Sequence, residues 1–282
     1  MLGCSYHCAF CQNWTTSRAP KDVSIRTPVP GSKAEPDGAG GPKELSRTPV
    51  QRCSPKDLVR LAKQSGSAVV TSTYNEPLIT SEWAVAVFRE AKKAGLRCAF
   101  VSNGGATTRV LKYLKPWLDF YKVDLKGFND RRYRRILGGV LSHVLRSIED
   151  LVALGFWTEV VTLVIPGIND SDEELRSIAR FLAGVSKDLP WHVTAFHGDY
   201  QMSAHSGTPP ETLVRAAGIG KAEGLRYVYA GNLPGKTQDL ENTSCPGCRE
   251  ALIRRSGFQV LSNRIQDGRC PSCRTPIPGV WA

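Results

Sequence analysis

Seven of the nine cysteines in this 282-residue chain fall into two groups whose spacing suits metal chemistry. Cys4, Cys8 and Cys11 stand as C-x3-C-x2-C, while Cys245, Cys248, Cys270 and Cys273 form two C-x2-C pairs separated by twenty-one residues. A structural zinc ion or a ferredoxin-type cluster takes four protein ligands, so a compact group of three leaves one metal position open. His7 is a poor fourth ligand, because its adjacency to Cys8 would strain the geometry. Four thiolates satisfy a closed tetrahedral site, and the second group reads as a zinc-ribbon-like module. Rubredoxin-like iron and a second cluster stay open as alternatives, since thiolates alone do not choose among these metals. Cys98, in the apolar run Cys98-Ala99-Phe100-Val101, reads as a buried structural thiol, and Cys53 carries no assigned role.

The elements that must position these groups are legible as alternating strand and helix signals. Strands are predicted over 68–74, 97–102, 120–125, 158–165, 191–196 and 225–229. A helix carries Ile79, Trp83, Val87 and Ala91 at helical spacing. Further helices cover 108–114, 211–223 and the stretch 130–154, the last broken at Gly138-Gly139, and Ser171 with Glu174 predicts a capping box ahead of another. Such alternation implies parallel strands joined by crossover helices, an α/β sheet or barrel whose chemistry gathers at the carboxyl ends of the strands. Glu76, Asn103, Asp124, Lys126 and His197 each follow a predicted strand within a few residues. Between them and the first cysteines, ten of the thirty-nine residues 15–53 are Gly or Pro and no aromatic occurs, which predicts a disordered or loop insert over 15–55.

Composition narrows the class. No apolar stretch approaches the roughly 20 residues of a membrane span and no signal peptide opens the chain, so a soluble, cytoplasmic protein without a membrane partner is expected. Cysteines in such a setting serve metals or catalysis rather than disulfides. The net charge of +11 suits nucleic acid, an acidic partner or an anionic substrate without choosing among them. Its densest run, 131–135, reads as a solvated helix face. Arginines also crowd the C-terminal tail, but a module of about fifty residues needs a metal merely to fold, so nucleic-acid binding is not expected there.

The stretches Gly3-Cys4 through Cys11-Gln12-Asn13-Trp14, Tyr74-Asn75-Glu76-Pro77, Val123-Asp124-Leu125-Lys126-Gly127-Phe128, TLVIPGIND over 162–170, WHVTAFH over 191–197 and YVYAGNLPG over 227–235 together resemble one family. It is the AmmeMemoRadiSam system radical SAM enzyme, akin to pyruvate formate-lyase activating enzymes. The resemblance implies a partial (β/α) TIM-like barrel over 56–235, preceded by a cluster-binding loop over 1–14 and followed by the four-cysteine module over 236–282.

It implies cofactors and roles too. Cys4, Cys8 and Cys11 would ligate a [4Fe-4S] cluster that cleaves S-adenosylmethionine (SAM) reductively to a 5'-deoxyadenosyl radical. Tyr74, Asn75 and Glu76 stand where the family holds the SAM amino group, Asp124 and Lys126 match its Asp-Leu-Lys, whose lysine meets the SAM carboxylate, and His197 lies near the ribose. Ser102-Asn103-Gly104 matches the family's Thr-Asn-Gly turn, although Val101 replaces its preceding acidic residue. Members carry a first barrel strand before the cysteine motif, so a cluster loop short of support is expected here. A flavodoxin- or ferredoxin-like one-electron donor and Memo-like and AMMECR1-like partner proteins are implied. The favoured reaction is glycyl-radical formation on a protein. The alternatives are radical SAM modification of a nucleic acid or small metabolite, and a non-catalytic, metal-stapled nucleic-acid-binding protein.

Overall fold

A computed structural model describes residues 2–18 and 52–281. The expected insert over 15–55 therefore lies mostly outside the described residues, although residues 14–18 form a helical turn that runs into it. A first helix, α1 (Pro55–Gln64), was not among the expected elements. Its start is nevertheless written in the chain: Ser54 and Asp57 form a reciprocal capping box, and Pro55 occupies the first helical position.

Six parallel strands follow in chain order across one sheet, β1 (Val69–Ser72), β2 (Arg97–Ser102), β3 (Phe120–Asp124), β4 (Trp157–Val164), β5 (Trp191–Ala195) and β6 (Val228–Gly231). The crossovers carry α2 (Ser81–Lys93), α3 (Thr108–Leu114), α4 (Leu141–Ala153), α5 (Asp172–Val185) and α6 (Pro210–Ala222). Parallel strands need such crossovers, and helices on one face leave the other free. Sheet order 1-2-3-4-5-6 is that of a partial barrel.

Side-chain alternation decides which face is which. On β4 Thr158, Val160, Thr162 and Val164 are buried while the residues between them are half-buried, and Tyr121 and Val123 on β3 repeat the pattern. The buried set packs against the helices, joined by Phe88, Phe100, Leu151, Ile178 and Trp191. Trp191 meets the rule that a buried indole N–H needs an acceptor by donating to Thr162 Oγ1 at 2.9 Å. The half-buried set, Lys122, Asp124, Glu159, Val161, Leu163, His192, Thr194 and Tyr229, lines an open cavity.

Two local expectations are corrected. Ile79 belongs to a 3-10 turn, Pro77–Thr80, and both Ile79 and Trp83 are exposed; the buried stripe of α2 is Ser81, Ala84, Val85, Val87, Phe88 and Ala91. The capping box of α5 is only half made. Ser171 Oγ accepts the Glu174 N–H, but the Glu174 carboxylate accepts from Phe128 N–H at 2.7 Å and pairs with Arg132. A buried carboxylate takes the strongest donors in reach, and here these come from the loop after β3 rather than from its own helix.

The C-terminal residues build a separate three-stranded antiparallel sheet, β7 (Thr243–Ser244), β8 (Ala251–Ser256) and β9 (Gln259–Asn263). Its core is very small: Leu252, Ile253, Ile277, Cys245 and Cys270, with Ile265 and Trp281 against them. No helix among the described residues is long and apolar enough to cross a membrane.

Candidate active site and metal centre

The cysteine loop rests on the backbone that follows the loop after β3. His7 N–H donates to Leu137 O at 2.8 Å and Ala9 N–H to Ile136 O at 3.0 Å. These carbonyls end a π-helical turn, Tyr133–Leu137, that Gly138 closes in the left-handed conformation. Methyl groups on Gly138 and Gly139 would overlap the His7 and Tyr6 rings respectively. Only residues without a Cβ allow the loop this close. The Gly138-Gly139 pair, expected as a simple helix break, is the seat of the cysteine loop.

Further ties fix the loop's edges. Asn103 Nδ2 donates to Ser5 Oγ at 3.0 Å, Thr16 Oγ1 to Asn75 Oδ1 at 3.0 Å, and Gln201 N–H to Ala9 O at 3.1 Å. Trp14 stacks on Tyr200 with ring centroids 5.2 Å apart, and Phe10 meets Phe196 edge-on. Two backbone hydrogen bonds to residues 136–137 and contacts with the strand-end loops thus support the cysteine loop.

Cys4, Cys8 and Cys11 line one cavity of about 940 Å³. Burial pushes the Cys4 thiol above its ordinary range and the Cys8 thiol up to about 11, against the pull of Lys126. Both shifts favour the neutral thiol, and a coordinated metal's positive charge would reverse them. Three thiols on one short loop, opening on a cavity with polar walls, fit a [4Fe-4S] cluster with one iron left to an outside ligand. Cys4, Cys8 and Cys11 would hold it.

Asp124 and Lys126, at the end of β3, line the same cavity. Lys126 Nζ lies 2.9 Å from Asp124 Oδ2, and Lys122 Nζ 3.4 Å from Asp124 Oδ1. Burial raises the Asp124 carboxyl, but the two ammonium groups outweigh it and hold the carboxyl below its usual range. Desolvation pulls Lys126 down, and the Asp124 carboxylate outweighs it, so the ammonium stays charged. Asn169 holds this loop in place by donating to Lys126 O at 3.0 Å and Leu163 O at 2.9 Å while accepting Ile165 N–H.

Glu76 is placed differently from the other candidates. It is 2% exposed and is not part of the cavity lining, although Tyr74, Asn75 and Asn103 are. Its carboxylate accepts from Ser102 Oγ at 2.8 Å, Asn103 N–H at 2.7 Å and Leu78 N–H at 3.0 Å. Burial nevertheless raises its carboxyl above the ordinary range, those three bonds pulling it back. Glu76 is a clamp joining the loop after β1 to the end of β2. Tyr74 and Asn75, both at positive φ (62° and 57°), turn the backbone between β1 and the clamp. His197 lies exposed on the loop after β5 and lines the cavity.

The cavity continues beyond these residues along the free face of the sheet. Lys122 pairs in register with Glu159, and His192 with Tyr229. His192 Nε2 is 2.7 Å from Glu159 Oε2 and its ring stacks on Tyr229 at 4.9 Å. None of these four was singled out from the sequence except as strand residues. Their signal is a polar side chain at every second position of otherwise apolar strands. Arg255 and Phe258, from β8 and the turn after it, complete this end of the cavity.

The four C-terminal cysteines form a different site. Their sulfurs all lie within 4.8 Å of one another, with Cys245 and Cys273 at 3.5 Å and Cys248 and Cys270 at 3.6 Å. Each C-x2-C turn is closed the same way: Arg249 N–H donates to Cys245 O, Arg274 N–H donates to Cys270 O, and both arginines sit at positive φ. This donor set fits one tetrahedral metal ion, and the expected zinc would be held by Cys245, Cys248, Cys270 and Cys273. The three N-terminal thiols are not gathered so closely, which suits a cluster in which each binds a different iron.

A parallel α/β sheet with a three-thiol loop beyond its carboxyl ends defines a class, and comparison with known proteins agrees. The Radical SAM superfamily profile matches residues 1–182. The chain belongs to this superfamily. It is 30% identical over 278 residues, 98% of this chain and 75% of the relative, to the uncharacterized protein MJ0808 of Methanocaldococcus jannaschii.

More distant relatives are activating enzymes. The isethionate sulfite-lyase activating enzyme of Oleidesulfovibrio alaskensis is 28% identical over 49% of this chain and 45% of its own length. The benzylsuccinate synthase activating enzyme of Thauera aromatica is 26% identical over 60% of this chain and 55% of its own. The chain thus spans about half the length of these activating enzymes. Among solved structures, a domain of pyruvate-formate lyase-activating enzyme from Bacteroides vulgatus shares the fold with TM-score 0.51 and 17% identity, over 58% of this chain and 98% of that domain. SuiB of Streptococcus suis does so with TM-score 0.56 and 12% identity, over 82% of this chain and 47% of its own.

Proposed function

We propose that this chain is a hydrogen-abstracting enzyme of the activating type, whose favoured reaction is glycyl-radical formation on a partner protein. The single observation that carries the reading is the shared cavity: three thiols, the Asp124–Lys126 pair and the Tyr74-Asn75 turn open on one space. When bound there, a [4Fe-4S] cluster would supply one-electron cleavage of SAM and with it a 5'-deoxyadenosyl radical. The chain's own groups bind and orient. Lys126 Nζ offers a charged donor to a carboxylate, and the Asp124 carboxylate, on the same wall, offers an acceptor to an ammonium or hydroxyl. The Glu76 oxygens accept from Ser102, Asn103 and Leu78, so Asp124 is proposed beside the Tyr74-Asn75-Glu76 stretch for the SAM amino group. His197 is proposed for the ribose. Phe10, Phe196 and Leu163 keep water from the reacting end.

Resemblance along the chain supports the finer assignment to the AmmeMemoRadiSam group, and with it Memo-like and AMMECR1-like partner proteins and a flavodoxin- or ferredoxin-like donor. The test is anaerobic reconstitution with iron and sulfide, then reduction in the presence of SAM. Formation of 5'-deoxyadenosine that Cys8→Ala abolishes is expected. A radical on a glycine of a co-purified partner, seen by electron paramagnetic resonance, would establish the reaction type. Reconstituted protein that produces no 5'-deoxyadenosine would refute the reading.

A further inference from the structure

The C-terminal module does more in the structure than close on its own metal site. β8 sends Arg255 into the wall of the barrel cavity, at the end away from the cysteine loop. The ladder between β8 and β9 is irregular between Arg254 and Arg255, where Leu261 is passed over, and bulges of this kind re-aim side chains beside functional sites. Arg254 is exposed; Arg255 is half-buried.

Arg255 is held by neutral groups. Its Nη1 donates to Thr243 Oγ1 at 2.8 Å and to Glu241 O at 3.2 Å, and its guanidinium lies 5.7 Å from the centre of the Tyr229 ring. No carboxylate is in ion-pair contact with it among the described residues. Two acids that line the cavity beside it are already bonded: Glu159 to His192 Nε2 at 2.7 Å and Trp157 Nε1 at 3.0 Å, and the Glu241 carboxylate to Gly257 N–H at 3.0 Å. A guanidinium fixed by neutral acceptors, shielded on one side by an aromatic ring and turned to a cavity, has donors left for an anion and a fork that matches a carboxylate. Lys122 lies on the same wall, its ammonium 3.4 Å from Asp124 Oδ1.

We propose that this end of the cavity is the substrate pocket, that Arg255 recognises a carboxylate of the substrate, and that the four-cysteine module is there to deliver that residue. The proposal rests on the superfamily chemistry for the neighbouring cysteines but not on the glycyl-radical reading. A carboxylate can come from a small organic acid or from an acidic side chain beside the target residue of a peptide. The module's core is too small to hold β8 in place without its metal. Metal loading of the tail therefore sets substrate binding in the barrel.

The test uses the reconstituted full chain and two probe pools under anaerobic conditions. One pool contains small mono-, di- and tricarboxylates; the other contains end-blocked pentapeptides with Gly next to Asp or Glu. Each pool is run beside its amide-neutralised counterpart. Binding is read by ligand-observed nuclear magnetic resonance, and iron, zinc and far-ultraviolet circular dichroism are recorded for every variant.

Wild-type protein should bind carboxylates of at least one pool in preference to the amides. Arg255→Ala should weaken that binding about 10- to 100-fold, Arg255→Lys should restore part of it, and Arg254→Ala should leave it unchanged. Binding confined to the small acids would uphold the pocket and count against protein activation, whereas binding of the acidic peptides would uphold both. Absence of any carboxylate preference would overturn the proposal. So would equal binding by Arg255→Ala with metal content and circular dichroism intact, or an equal loss in Arg254→Ala. Should Arg255→Ala lose its zinc or its fold, the lysine variant and Arg254→Ala decide in its place.

Discussion

Two groups of cysteines, at opposite ends of the chain, do opposite things with the same side chain. The C-terminal four face one another within 4.8 Å, on turns whose backbone is closed by their own arginines, beside a three-stranded sheet with a very small apolar core. The N-terminal three face a cavity, on a loop whose position is set by residues far away in sequence: Leu137, Ile136, Asn103 and Gln201. A closed set of ligands spends its coordination on folding, while an open set keeps a position for chemistry and must borrow its rigidity from the barrel. The first is a local device and the second is tertiary.

The sharpest way to break this comparison is to remove one thiol from each group. Cys8→Ala is expected to abolish 5'-deoxyadenosine formation and lower cluster iron while leaving the tail's metal in place. Cys248→Ala should release that metal and expose residues 236–282 to limited proteolysis while the barrel stays protected. Loss of the tail's metal in both variants, or unchanged SAM cleavage in both, would erase the distinction.

A smaller loss is expected at the pair beside the open site. Asp124→Asn leaves the Lys126 ammonium in the cavity wall without its carboxylate, which should destabilise the chain by about 3 kcal/mol, read as a shift of the urea midpoint. The Lys126→Met and Asp124→Asn double variant should recover part of that loss.

The borrowed rigidity of the cysteine loop is tested at its glycine seat. Gly138→Ala and Gly139→Ala force the His7 and Tyr6 rings to move, at a cost of about 1 to 3 kcal/mol. Cluster iron should fall in both, with the tail's metal unaffected. Full iron occupancy would mean that the loop finds other support. At the closed site the corresponding backbone change goes the other way: Arg274 sits at φ 60°, and Arg274→Gly should raise thermal stability by a net of about 0.5 kcal/mol.

The smallest effect is a pH dependence at the far end of the cavity. Burial pushes the Glu159 carboxyl up, but its bonds to His192 and Trp157 outweigh this and hold it below the usual range. A depressed carboxyl contributes stability that is complete above its unfolded value, about 4.3, and disappears as pH falls through the folded one. Between pH 6 and pH 3 the melting temperature of Glu159→Gln should therefore fall less than that of the parent chain. Parallel curves would show that the pair contributes nothing.

The sequence by itself determined five of the six barrel strands closely, most helices and both cysteine groups, because alternation, capping residues and Cys spacing are local patterns; the last strand, expected over 225–229, runs Val228–Gly231. It also determined that Asp124, Lys126 and Asn103 stand at strand ends. Only the tertiary structure decided that Glu76 turns inward as a clamp, since Leu78 caps it locally but its other two donors, Ser102 and Asn103, come from the end of β2. Tertiary structure likewise decided that Gly138-Gly139 is a seat, that the polar alternates Lys122, Glu159, His192 and Tyr229 share one wall, and that Arg255 reaches it from another sheet. Each of these depends on the sheet's curvature bringing distant residues together, and local periodicity carries no record of which distant residue a side chain will meet.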